Sequence, residues 1–117
     1  MTERDEDRLR RIVRLIDLIR ADIGGLDQRG FFSSSLLVDG TAHRLMHVAE
    51  NAIHLSDAVK GRHGAIPWRQ IAGLRNYIAH DYDGANLVVV WGTIENHLTP
   101  LRVICVAELG SKNNQGD

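Results

Sequence analysis

The chain of 117 residues carries 14 basic and 15 acidic side chains, a net charge of −1 at pH 7, which excludes capture of nucleic acid by bulk attraction because such domains are strongly basic. A quarter of the residues are charged and 44% are apolar, a balance that argues against both disorder and a membrane protein; no window offers the roughly 20 unbroken apolar residues of a spanning helix. A lone cysteine, Cys105, excludes an intrachain disulfide and a cysteine metal cluster. Its neighbours Val103, Ile104 and Val106 predict a buried thiol acting as a small hydrophobe.

The length suits one domain, expected over residues 1–110, with a short polar tail at 111–117 predicted to be disordered. The opening Met-Thr-Glu-Arg-Asp-Glu-Asp lacks the apolar core of a signal peptide, so a cytoplasmic protein is expected. From about Asp5 to Ile23, Leu9, Ile12, Val13, Leu15, Ile16, Ile19 and Ile23 keep the spacing of one helical face, and Gly24-Gly25 supplies the stop. This first helix also carries Arg8, Arg10, Arg11, Arg14 and Arg20, a local patch attractive to phosphate or simply a solvated face. A loop through Gly30 follows, and the serines at 33 to 35 can cap a second long helix to about Lys60, with Gly40 inside it and Gly61 and Gly64 breaking it.

Pro67 suits the first position of a third helix, Trp68 to about His80, because its missing amide proton costs nothing there. Asp81-Tyr82-Asp83-Gly84 reads as a turn. The run from Asn86 to Trp91 would suit a strand on composition. A helix is preferred, since Leu87, Val90, Trp91, Ile94 and Leu98 hold helical spacing beyond the run and Asn86 can cap it. Pro100 should kink that helix or split it before Leu101 to Leu109. The expected fold is all-α, an up-and-down bundle of four to five helices.

Chemistry concentrates between Ile66 and Trp91. The segment contains Pro67-Trp68 and then Arg75-Asn76-Tyr77-Ile78-Ala79-His80-Asp81-Tyr82, an Arg-x-x-x-x-His-x-Tyr pattern. With Arg44 and Glu50 on the second helix, and with the chain's length and helix order, it resembles the HepT-like branch of the HEPN ribonucleases. The chemical need can be stated independently. RNA is cut without a metal when a base takes the proton of a 2′-hydroxyl, that oxygen attacks the phosphate and an acid protonates the leaving oxygen. A histidine with a pKa near 6.5 serves both transfers, and an arginine holds two phosphate oxygens as charge builds in the transition state.

The resemblance implies Arg75 and His80 as catalytic residues, with Asn76, Tyr82 and Glu50 supporting, no cofactor and no metal. At about 100° per residue, Asn76 and His80 share a helix face, whereas Arg75 and His80 point roughly 140° apart. The helix should therefore end or distort near His80, or a second copy should contribute. HepT-like proteins form homodimers with a composite cleft, which implies a homodimer here, with RNA as substrate. They are typically encoded beside a minimal nucleotidyltransferase antitoxin that attaches AMP to a motif tyrosine. That implies this antitoxin as a partner, in a higher hetero-oligomer or otherwise, and Tyr77 or Tyr82 as acceptor, Tyr77 slightly preferred. The added negative charge and bulk would block the approach of RNA phosphate.

Each residue also has a plain structural reading: His80 capping helix carbonyls, Arg75 in a surface salt bridge, the tyrosines packed, Trp68 anchoring its helix. A rival functional reading is a non-catalytic HEPN module that binds nucleotide or RNA beside a nucleotidyltransferase. A third starts from His43, His47, Glu50 and His54, which fall within about 60° of one another on the second helix. Histidines four apart can bind a transition metal, but no matching motif stands on another helix, and a solvated or interface-facing stripe is favoured.

Overall fold

The computed structural model describes the backbone of residues 1–80 and 87–115 and the side chains of residues 1–78 and 88–111. The first helix, α1 (Glu3–Ile23), begins two residues earlier than the apolar periodicity because Thr2 and Asp5 form a reciprocal capping box. The Asp5 amide donates to Thr2 Oγ1 at 3.0 Å and the Thr2 amide to Asp5 Oδ2 at 3.3 Å. Leu9, Ile12, Ile16, Ile19 and Ile23 form its buried stripe. It stops at Gly24, whose φ of 57° lies in the left-handed region that glycine tolerates without penalty.

The expected loop through Gly30 contains a short helix, α2 (Gln28–Phe32), capped by Asp27, which accepts from the Gly30 amide at 2.8 Å. Its Phe31 is fully buried against Trp91, with ring centroids 5.2 Å apart, so tertiary burial holds a segment too short to be a stable helix alone. The long second helix is two: α3 (Ser35–Ile53), capped by Ser34, and α4 (Asp57–Arg62), capped by Ser56. The break has a cause outside the segment. Asp5 of α1 accepts from the Ser56 amide at 2.9 Å and from its hydroxyl at 2.7 Å, and Ser56 Oγ accepts from the Val59 amide at 3.3 Å, which holds Ser56 in the extended conformation of a cap.

Helix α5 spans Trp68–His80, α6 spans Leu87–Asn96 and α7 spans Leu98–Gln115. The strand-like run thus folds as helix. The break expected at Pro100 falls upstream, at His97, and Pro100 sits in the first turn of α7, where no donor is required of it. Helix α7 continues beyond Leu109 through Gly110 to Gln115. The expected turn at 81–84 and the Asn86 cap lie outside the described residues.

All described elements are helical, seven in number, and α3 is the central one, packing on α1 and on α5, while α7 covers the other side of α1 and contacts α6. Cross-links fix the directions. Asp22 of α1 pairs with Arg44 of α3 and Asp5 with Ser56; Asp17 pairs with Arg102 of α7 at 2.8 Å, and Arg20 bonds to Thr99. Each pair of contacts runs in opposite chain directions, so the bundle is up-and-down. No described helix is long and apolar enough to cross a membrane. Trp68 is an anchor, as expected: its indole N–H donates to the carbonyls of Lys60 at 3.2 Å and His63 at 3.0 Å.

Cys105 is buried, and burial followed by the charge of Glu108 pushes its thiol up to about 12, so it stays protonated at neutral pH. Two buried carboxylates tie α4 in place. Burial alone would raise the pKa of Asp5, but the hydrogen bonds from Ser56 and Thr2 outweigh it and hold the group below its ordinary value. Glu108, only 8% exposed, is held low by hydrogen bonding to Arg62, against the opposing effect of burial and with help from the charges of Arg62 and His63. Depressed carboxylate pKa values stabilise the fold above the unfolded values, about 4, and that stability is lost as pH falls through the folded ones. Thermal melts should therefore show a steep fall below about pH 4, and Asp5→Asn with Glu108→Gln should flatten that fall while lowering stability at neutral pH. An unchanged acid limb would assign the dependence to other groups.

Candidate functional site

Burial of Leu45, Val48, Ala49 and Ala52 against the core turns the opposite side of α3 outward, and the 3.6-residue repeat places His43, His47, Glu50 and His54 there. The three histidines are exposed and Glu50 is partly so. One flank of this face meets α1, where Arg44 pairs with Asp22. The other meets α5, where Glu50 Oε2 lies 2.9 Å from Arg75 Nε. The second carboxylate oxygen, Oε1, lies 3.1 Å from His54 Nε2. Glu50 thus bridges an arginine on one helix and a histidine at the end of its own.

The Glu50–Arg75 pair lies at the surface, with side chains 38% and 48% exposed. An ion pair so placed contributes about 0–1 kcal/mol to stability. Its consequence is positional: the most flexible cationic side chain of the motif is tethered through Nε on an open face. One turn back along α3, His43 and His47 approach each other with Nε2 atoms 3.2 Å apart and rings in an edge-on arrangement. Asn51, nearly buried, donates its amide to the His47 carbonyl at 2.8 Å and so stiffens this turn.

Helix α5 packs on α3, where Arg75 meets Glu50, while its first residue Trp68 meets the end of α4 at Lys60 and His63. The side chain of His80 and the whole of Tyr82 lie outside the described residues. Asn76 is exposed beside Arg75. Tyr77 is partly buried and turns toward α6, lining a groove with Gln70, Leu74, Val89, Thr93 and His97. Of the residues expected at the site, the structure therefore joins Glu50 to Arg75, leaves Asn76 at its edge, and separates Arg44, which serves the α1 flank.

The described partners of Glu50, expected only as a supporting residue, are Arg75 and His54. Glutamate four residues before a basic side chain was the available signal for the His54 contact. Nothing in periodicity foretold Arg62–His63–Glu108, which closes over 45 residues of chain. Among the described residues no group of three or more His, Cys, Asp or Glu is placed to hold a metal ion.

The sequence pattern of the family described as Ribonuclease HepT-like matches residues 6–107. A protein of Caldanaerobacter subterraneus subsp. tengcongensis, named "Putative RNase", is 25% identical over 93 residues, covering 80% of this chain and 83% of its own length. A protein of Thermococcus cleftensis, named "Probable ribonuclease HepT", is 24% identical over 102 residues, covering 87% of this chain and 93% of its own length. No solved structure gives a significant match.

Proposed function

The chain belongs to the HepT-like ribonuclease family, and from that premise we propose that it is the toxin of a toxin-antitoxin pair, a metal-independent endoribonuclease that cuts RNA in a composite cleft between two copies of itself. The observation that carries the reading is the exposed Arg75 tethered by Glu50 across α3 and α5, a permanent cation held where a phosphate can reach it. Arg75 holds the scissile phosphate, His80 moves protons, and Asn76, Tyr82 and Glu50 support them.

The step balances without a metal. A neutral imidazole of His80 removes the 2′-hydroxyl proton as that oxygen bonds to phosphorus. The bond from phosphorus to the 5′-oxygen breaks, and the leaving oxygen takes a proton from a second, protonated imidazole, giving a 2′,3′-cyclic phosphate and a 5′-hydroxyl. One chain contributes one His80, so two copies supply both proton-transfer groups. The guanidinium of Arg75 offsets the charge that gathers on the non-bridging oxygens.

A minimal nucleotidyltransferase antitoxin silences the enzyme by adding AMP to Tyr77 or Tyr82. The phosphate introduces negative charge into the motif and opposes the entry of RNA phosphate. Tyr77 lines the α5–α6 groove with a partly buried ring, and Tyr77 remains the slightly preferred acceptor. The test is incubation of the purified dimer with RNA in chelator. Fragments ending in a cyclic phosphate are expected, whereas intact RNA from protein verified as unmodified at both tyrosines would indicate a module that binds without cutting.

A further inference from the structure

We propose that His43 and His47 form a two-point site for a divalent first-row transition ion such as zinc, separate from the ribonuclease chemistry and not required by it. Their Nε2 atoms lie 3.2 Å apart on exposed side chains. Two imidazole nitrogens bound at 2.0–2.1 Å stand about 3.3–3.4 Å apart in a tetrahedral site and about 2.9 Å apart at a right angle. The observed separation falls between these values, so the two nitrogens already stand at a chelating distance, and binding needs the rings to turn their Nε2 lone pairs from each other toward the ion.

The backbone supports the same arrangement. Residues four apart on a helix present their side chains one above the other, the turn that carries them is internal to α3, and Asn51 braces it through the His47 carbonyl. Imidazole is a preferred ligand of zinc, copper and nickel. Glu50 on this face is engaged by Arg75 and His54, so the third histidine of the stripe is occupied.

Without an ion, one ring donates its Nε2 proton to the other. Binding requires both Nε2 lone pairs, so the donor ring shifts its proton to Nδ1, which changes its tautomer and leaves both rings neutral. Water completes the coordination.

Zinc titration of untagged protein by calorimetry tests the site without reference to cleavage. Wild type is expected to bind one zinc per chain, His43→Gln and His47→Gln each to lose that binding, and His54→Gln to keep it. Copper(II) resonance spectra should show two equivalent nitrogens in wild type. All three histidines are exposed, and unchanged melting of the apo variants would verify that they fold. Zinc binding by the His43→Gln, His47→Gln double variant equal to that of wild type, or its loss in His54→Gln, would overturn the proposal.

Discussion

Replacing Arg75 by alanine is expected to slow RNA cleavage about 10²–10³-fold, the scale seen when one preorganised donor to transition-state charge is removed, while leaving thermal stability nearly unchanged. The two expectations arise from the same geometry. The guanidinium is exposed and its bond to Glu50 Oε2 is 2.9 Å long, so its loss costs the fold at most about 1 kcal/mol. Lysine at this position should rescue little, because an ammonium cannot reproduce the planar fork that grips two phosphate oxygens. Single-turnover cleavage beside a thermal melt separates the roles. A large drop in melting temperature with cleavage intact would make Arg75 a structural residue.

The second large effect is on stability. Phe31→Ala should destabilise the protein by about 3–5 kcal/mol, the usual cost of emptying a buried aromatic site. Phe31 is fully buried, lies 5.2 Å from Trp91 and 5.8 Å from Phe32 by ring centroid, and belongs to the five-residue helix α2. Its side chain thus joins α2 to α6. A urea midpoint shifted without change in slope would report a true loss of stability. A loss below about 1 kcal/mol would mean that α2 is peripheral to the core.

Helices α1 and α5 were legible in the sequence because each carries its own instructions: an apolar stripe at helical spacing, a stop at Gly24 and a start after Pro67. The divisions of the chain were harder to read, since their causes are tertiary. Ser56 interrupts the second helix because Asp5, 51 residues away, holds it, and α2 exists because Phe31 finds Trp91. Pro100 announced a break but not its place, as a proline in the first turn of a helix moves the interruption upstream.

The site divides in the same manner. Arg75 and Glu50 were picked out through resemblance, since an arginine and a glutamate are common residues, and only the packing of α5 on α3 makes them partners. The histidine stripe was visible as a face of α3. Its internal division was not, because whether His54 meets Glu50 and His43 meets His47 depends on rotamers that spacing leaves open. Buried Glu108 carried no signal at all.

The most direct test of the catalytic assignment compares wild-type and His80→Ala protein, each dimeric and unmodified at Tyr77 and Tyr82, incubated with total RNA and with tRNA in chelator. Cleavage by the wild type and none by His80→Ala is the expected result. Equal cleavage by both would remove His80 from the chemistry, and intact RNA in both would contradict a metal-independent ribonuclease.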